Sequence, residues 1–487
     1  MTSPALSISP QDAIRELWRI GDLSYQVRDY QDIIYNNIWG AITNPEVAKY
    51  ALLIARRFGK SHILCLVAIE YAIRNPNTLI RFAAPTAKSL KKITLPLFRK
   101  ILKDCPEEFR PQYKQQDQTW FFPSGSEIHC SGTDNGAHEN LRGQESHLNL
   151  VDEAGFCDQL DYTIRSILQP QTLTNNGTTI LSSTPPKTPA HDFRDIFLEC
   201  AEEGNSLILT IDDNKSLTER TINLYAKEAG GKTSSTYRRE YLCEWVVDED
   251  LAITPEFNEY IHVKEIDRDK FYPFYQKYEA MDIGWSAYTA ILFGFYNFKE
   301  AKLYIEDEIV IKGKDVTTLE LANLIQNKEK ILWKEQKAYR KIADNNDPEF
   351  LAALAKHKVY FNPVHKNSLE AMVNKVRLWL GQERIIIHPK CKMTIGCLHY
   401  GIWNEHRTKW EENKTYGHFD ALASLQYLLT AIDEHTNPVP KISELEGPVH
   451  NYHIKDKKAL LKNQSASQKN LEEFYRNKKK RFTRPTN

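Results

Sequence analysis

Gly59, Lys60 and Ser61 close the run KYALLIARRFGKS (49–61), and Asp152 and Glu153 follow the apolar run in HLNLVDEAGF (147–156). These residue types suit phosphate chemistry. Backbone N–H groups at a helix start can wrap phosphate oxygens, a lysine can reach the β/γ oxygens, and a hydroxyl can hold Mg²⁺. An apolar run from Tyr50 to Ala55, a short loop, and an apolar-rich stretch from Ile63 to Ala72 predict the strand–loop–helix frame that a phosphate loop needs. One position departs from the pattern, since Ile54 stands where G-x-x-x-x-G-K-[ST] has its first glycine. Leu148 to Val151 reads as a buried strand, which would deliver Asp152 as a metal-organising carboxylate and Glu153 as the group that activates water. A DE dipeptide is also an ordinary solvated turn. Placed in order behind a GKS loop, it predicts hydrolysis of ATP with Mg²⁺.

A second chemistry is spaced along the C-terminal half. YEAMDIGWSAYTAILFGFYN (278–297) predicts a strand ending in Asp282, a glycine turn, and a second strand of β-branched and aromatic residues. KLYIEDEIVI (302–311) predicts a third strand, and Thr317 to Lys337 a helix. KIADNNDPEFLAALAKH (341–357) predicts a short strand delivering Asp344, then a helix opened by Pro348 and Glu349. Asp347 is a rival for the end of that strand. Asp420 begins a long apolar helix in YGHFDALASLQYLLTAI (416–432). Three carboxylates on strand, strand and helix are the hard oxygen ligands that two Mg²⁺ or Mn²⁺ ions about 3.5–4 Å apart require. Asp282, on the hairpin strand, is the expected bridging ligand, with Asp344 and Asp420 completing the cage. His418 is a candidate outer-shell group. Glu306, Asp307 and Glu308 alternate faces on the third strand, so one of them could also point into the site.

A loop of the form A/G-R-R-F-G-K-S, with Arg56 and Arg57 beside the phosphates, resembles the large terminase subunit of tailed bacteriophages, and TTILSSTPP (178–186) resembles that family's coupling motif. The Asp282, Asp344 and Asp420 series matches its nuclease in order and context. The resemblance spans roughly residues 20–435. It implies a P-loop (RecA/ASCE-like) α/β ATPase domain followed by an RNase H-like nuclease domain. It further implies ATP-driven packaging of double-stranded DNA into a preformed capsid, with metal-dependent cutting of the concatemer. The implied partners are double-stranded DNA, a capsid portal protein, a small terminase subunit, and copies of the chain in a ring on the portal. The implied setting is the host cytoplasm, with transient docking on the procapsid. Gln31, in LSYQVRDYQ (23–31), resembles the adenine-reading glutamine of terminases and helicases, whose amide can both donate and accept. Arg142, in ENLRGQ, resembles the arginine finger that reaches a neighbour's active site and stabilises charge on the transferred phosphoryl group. Arg56 and Arg57 are its rivals, acting in cis. Lys366, Lys375 and Arg377 lie in the region that flanks the nuclease groove, where lysines would neutralise DNA phosphates.

The chain of 487 residues is long for one core. The expected organisation is an ATPase domain with its linker subdomain over 1–255, a nuclease domain over 256–435, and a basic tail over 436–487. Formal charge is zero, from 64 basic and 64 acidic residues, but the balance hides that tail, which contains NKKKRFTRP. No apolar run approaches the ~20 residues of a membrane span, and the start, MTSPALSISPQDAIREL, lacks the basic-then-apolar pattern of a secretory signal. Eight scattered cysteines fit free thiols in a reducing compartment. His388, Cys391, Cys397 and His399 could form a compact zinc set, although their spacing departs from the common knuckle, and buried thiols in a helix are the simpler expectation.

Other readings share parts of this pattern. A superfamily-2 DNA helicase would carry the phosphate loop and DE box, but would need a second RecA-like domain with a motif such as Q-x-x-G-R-x-x-R, and the aspartate series occupies that space. An ATP-regulated nuclease of a mobile element would keep the carboxylates. A DNA-clamping scaffold with degenerate sites would require a chain that retains Lys60, Glu153 and all three aspartates for no purpose.

Overall fold

The computed structural model describes residues 9–436 except 144, 268–274, 285–287, 313–314, 335, 345, 367, 405 and 413–414. The basic tail beyond Thr436 therefore lies outside the described residues. Two compact units meet in sequence between Ala252 and Ile253, and Ile402–Lys409 returns to the first.

In the first unit, eight strands among the described residues form one sheet. They are β1 (Lys49–Ile54), β2 (Leu79–Ala84), β3 (Gln112–Lys114), β4 (Thr119–Phe121), β5 (Glu127–Gly132), β6 (Leu148–Asp152), β7 (Thr178–Ser183) and β8 (Ser206–Leu209). Their order is β3-β4-β5-β2-β6-β7-β1-β8. Pairing is parallel from β5 through β8, with β3 and β4 folded back as an antiparallel edge. β1, β6 and β7 are buried along their whole length, and β1 from Tyr50 on reads as a continuous apolar run because both of its faces are covered. Parallel register then brings their C-terminal ends to one edge. Leu53 lies opposite Ser183, and Asp152 opposite Ser182. That edge is where open α/β sheets place ligands.

Helix α1 (Asp32–Thr43) precedes β1, and helix α2 (Lys60–Arg74) follows the phosphate loop. Residues Ile63 to Ile69 of α2 are fully buried. Glu70, at the back of α2, is also fully buried. It accepts from Leu23 N at 2.6 Å, Trp39 Nε1 at 2.9 Å and the Tyr35 hydroxyl, and pairs with Arg74 at 3.2 Å. This satisfied carboxylate ties the N-terminal segment to the helix that carries Lys60. Helix α3 (Glu219–Glu228) is capped by Thr218.

The second unit holds β9 (Lys277–Asp282), β10 (Tyr288–Asn297), β11 (Lys302–Lys312), β12 (Arg340–Ala343), β13 (Asn362–Pro363) and β14 (Ile385–Ile387), in the order β13-β12-β9-β10-β11-β14. β9, β10 and β11 are antiparallel neighbours, and β12 runs parallel to β9 on its other side. That is the RNase H-like order, and it differs from the all-parallel sheet of a second RecA-like domain. Helices α4 (Thr318–Trp333), α5 (Pro348–Lys356), α6 (Leu369–Gly381), α7 (Lys392–Tyr400) and α8 (Asp420–Ala431) complete the unit. α4 stops four residues short of the expected Lys337. α8 lies against β9 and β10 and is buried along nearly its whole length, with a polar stripe at Asp420, Ser424 and Tyr427. No described helix is long and apolar enough to cross a membrane.

Candidate functional sites

The phosphate loop leaves β1 at Ile54 and turns through two left-handed residues, Arg57 (φ 74°) and Gly59 (φ 76°), into α2. Only glycine takes the second of these without strain, and a Cβ there would also meet Gln31 Nε2 at 2.3 Å. Ile54, in place of the first loop glycine, is a buried strand residue whose carbonyl accepts from Lys60 Nζ at 3.1 Å. The lysine is thus folded back along the loop, 3.7 Å from Glu153 Oε1, with little of it exposed. Ser61 hydrogen-bonds the Asp152 carboxylate. Burial raises the Asp152 pKa, the neighbouring Glu153 charge adds to that, and Ser61 and Lys60 oppose it. Glu153 sits in the left-handed region (φ 47°), and its own N–H donates to Asp152 Oδ1 at 3.1 Å. From β7, Ser183 Oγ faces Glu153 Oε2 at 3.5 Å and accepts from Gly155 N at 2.9 Å. The TTILSS run is therefore wired to the DE turn. Lys60, Ser61, Asp152 and Glu153 converge at one sheet edge. A hydroxyl beside a buried carboxylate is a donor set suited to Mg²⁺.

Gln31 is buried beneath the loop, donating to Phe58 O at 2.7 Å and accepting from Arg28 N at 3.2 Å. Its amide positions the phosphate loop as well as lying near it. Arg56 reaches the buried Glu240 at 2.6 Å, and Arg57 lies over the Tyr225 ring, 5.8 Å from its centroid. Arg142 stands apart from this cluster. It is half exposed and bonded to Glu139 and the Tyr162 hydroxyl, each at 2.8 Å.

In the second unit, the sheet ends bring the three aspartates into one electrostatic neighbourhood. Asp282 closes β9, and Asp344 follows β12, its N–H donating to Met281 O at 3.0 Å. Asp420 opens α8, and its Oδ2 accepts from Tyr288 N at 3.2 Å. Burial pushes Asp282 up to about 7, and the Asp420 and Asp344 charges add to the shift. Burial likewise raises Asp420 to about 6, against the opposing Tyr288 N–H. Asp347, the rival of Asp344, instead caps α5 by accepting from Phe350 N at 2.9 Å.

Two residues that sequence reasoning missed hold this arrangement. Ser424 accepts from Asp282 N at 2.9 Å and donates to Ala290 O at 2.7 Å, clamping β9 to β10. Tyr427 hydrogen-bonds the Asp282 carboxylate. Asp420, Ser424 and Tyr427 recur at i, i+4 and i+7, so they share one face of α8. That stripe was the available signal.

Among the described residues, no three His, Cys, Asp or Glu side chains already stand in ligating geometry. The donor set nevertheless fits a cation, because the Lys366 ammonium lies 2.5 Å from Asp344 Oδ1. Lys366 thus points inward. Lys375 donates to Leu429 O at 2.8 Å, and Arg377 grips Glu256 at 2.6 Å, so neither forms a solvated basic face. Glu306 accepts from Trp333 Nε1, Asp307 pairs with Lys328 and Lys390, and Glu308 caps α7. His418 pairs with Glu412. The four zinc candidates separate: His388 pairs with Glu265, His399 with Glu259, and both thiols are buried.

Residues 51–256 match the family model described as terminase large subunit, T4likevirus-type, N-terminal. No curated protein matches the chain. Among solved structures, the large terminase of a thermophilic bacteriophage is 19% identical, with 83% of this chain and 99% of that one covered at a TM-score of 0.40. The large terminase of bacteriophage HK97 is 12% identical, covering 82% and 94% at 0.49. The P22 large terminase nuclease domain is 12% identical, covering 37% and 92% at 0.30. The first unit of the chain is therefore similar to the N-terminal part of large terminase subunits.

Proposed function

We propose that the first unit hydrolyses ATP to drive double-stranded viral DNA into a capsid, while the second cuts the concatemer at the start and end of packaging. The observation that supports this reading is the pairing, in one chain whose first unit resembles large terminases, of a Lys60–Ser61–Asp152–Glu153 edge with a separate Asp282–Asp344–Asp420 site.

In the first site, the α2 N-terminus and Lys60 receive the phosphates, and Ser61 and Asp152 would hold the accompanying Mg²⁺. Lys60 exchanges its Ile54 carbonyl for the β/γ oxygens. Glu153 orients the attacking water. Ser183, bonded both to Glu153 and to the Gly155 N–H, passes a change at the DE turn into β7. Gln31 holds the loop from below. Arg142, exposed and outside this edge, serves the active site of a neighbouring subunit in a ring on the portal.

In the second site, Asp282, Asp344 and Asp420 would hold Mg²⁺ or Mn²⁺. Bound there, divalent ions supply the Lewis acidity that generates a hydroxide nucleophile and takes up charge on the departing 3′ oxygen. Ser424 and Tyr427 fix Asp282 in place. The remaining partners, a portal protein and a small terminase subunit, and the host cytoplasm as setting, follow from the same family reading.

The test is a pair of assays on the purified chain, ATP turnover and plasmid cleavage, each with Mg²⁺, Mn²⁺ and EDTA. Cleavage that persists in EDTA, or ATP turnover that is absent even when portal-bearing procapsids are added, would refute the reading.

A further inference from the structure

Lys366 occupies a place in the second unit that its sequence neighbours dictate. Val364 N donates to Ala343 O at 2.8 Å, so the chain runs beside the end of β12 where Asp344 emerges. Two residues beyond Lys366, Ser368 caps α6 through Ala371 N. The backbone of Lys366 is therefore held from both sides. Its ammonium reaches Asp344 Oδ1 at 2.5 Å and lies 5.5 Å from the centroid of the Tyr427 ring, whose hydroxyl is bonded to Asp282. The side chain is 28% exposed, whereas that of Asp344 is 5% exposed. The lysine thus approaches from the solvent side and closes over a carboxylate that has little other access to water.

We infer that Lys366 is the resident cation of the carboxylate site, competing with divalent metal for Asp344, and that DNA phosphate draws it away so that metal loads together with the duplex. The inference rests on the nuclease reading above. Three carboxylates packed together repel one another, and one ammonium offsets part of that repulsion in the metal-free chain. The same ammonium repels a dication that seeks the same oxygens. A lysine is a flexible point charge on a four-carbon stem, able to exchange one anionic partner for another within reach. Phosphate of a docked duplex is such a partner. A terminase that waits beside a genome it must not cut at random gains from a site that binds metal poorly until DNA arrives.

The test is Mn²⁺ binding to the full chain, followed by electron paramagnetic resonance of the free ion, with and without a short duplex and with a duplex-only blank. Lys366→Gln should bind Mn²⁺ at least about tenfold more tightly than the parent without DNA, and should gain little when duplex is added. The parent should gain on adding duplex, and Lys366→Arg, which keeps the charge, should behave like the parent without DNA. Equal Mn²⁺ affinity of Lys366→Gln and the parent would overturn the inference. In the unaltered chain, amine labelling of Lys366 read by mass spectrometry should rise when Mn²⁺ alone is added, and unchanged labelling would likewise overturn it. Asp282→Asn separates the two levels. If it binds Mn²⁺ as the parent does, the metal-site reading itself fails, whatever Lys366 does.

Discussion

Lys60 Nζ stands 3.7 Å from Glu153 Oε1 while it also bonds the Ile54 carbonyl at 3.1 Å. The lysine expected to bind phosphate is thus held between the loop strand and the carboxylate expected to activate water. This geometry predicts that Lys60→Ala loses ATP hydrolysis by at least about 10²-fold, as loss of one preorganised charge donor typically does. DNA cleavage should persist, because the partners of Lys60 are the loop strand and Glu153, and the aspartate site draws on neither. Parent-rate ATP turnover in the variant would show that the phosphates bind elsewhere.

Glu153→Gln should retain nucleotide and slow its turnover by about 10²–10⁴-fold, the usual range for a positioned general base. An amide can keep the 3.5 Å approach to Ser183 but cannot take up a proton. Measuring nucleotide affinity and single-turnover hydrolysis side by side separates the effects. If affinity falls along with turnover, Glu153 shapes the DE turn rather than the chemistry.

Asp282 makes the metal-free chain sensitive to pH. Burial and the neighbouring carboxylates hold its folded pKa at about 7, above the ~3.9 of an unfolded aspartate. The folded state therefore keeps a proton that the unfolded state has released. This contribution to stability is full below the unfolded value and is lost as pH rises through about 7. In EDTA, Asp282→Asn, which cannot ionise, should gain melting temperature relative to the parent as pH rises from about 5 to about 8. Adding Mn²⁺ at the upper pH should narrow that difference by stabilising only the parent. A difference that stays constant with pH would show that Asp282 titrates as an exposed carboxylate.

The chemistry was more legible in the sequence than its support. β1 is buried on both faces, so its apolar run from Tyr50 announces it. Asp282, Asp344 and Asp420 each sit at an element boundary marked by a turn or a proline. β3, β13 and β14 are two or three residues long and have no periodicity to read. Ser424 and Tyr427 act on Asp282 across 142 residues or more, and no local pattern reports such a distance. Lys366 reads only as a groove-flanking lysine because nothing in HKNS indicates that the chain before it runs beside Asp344. Asp347 caps α5, a role that the neighbouring Pro348 hints at only in retrospect.

Arg142 lies outside the Lys60–Glu153 cluster, half exposed and held by Glu139 and Tyr162. If it acts in trans, Arg142→Ala subunits have intact phosphate loops and lack only the finger, whereas Lys60→Ala subunits are the reverse. Each alone should hydrolyse ATP poorly, and mixed rings assembled on portal-bearing procapsids should partly recover. Absence of recovery in rings shown to contain both variants would place the finger elsewhere, with Arg56 and Arg57 the next to substitute.

Asp282→Asn, Asp344→Asn and Asp420→Asn should each abolish DNA cleavage while ATP hydrolysis continues. The reason is charge. An amide can keep the hydrogen bonds seen here, Tyr427 to Asp282, Asn346 N to Asp344 and Tyr288 N to Asp420, but offers no negative charge to a dication. Asp282 should be the most severe, because it sits between the other two in the electrostatic neighbourhood and is clamped by both Ser424 and Tyr427. Asp347→Asn serves as the matched control. Asparagine caps a helix about as well as aspartate, so this variant should fold and cut like the parent despite lying three residues from Asp344. Plasmid cleavage in Mn²⁺, with ATP turnover measured on the same preparations, reads all four. Near-parent cutting by the three site variants would remove the second unit's carboxylates from catalysis. A dead Asp347→Asn with an active Asp344→Asn would move the second ligand to the helix cap.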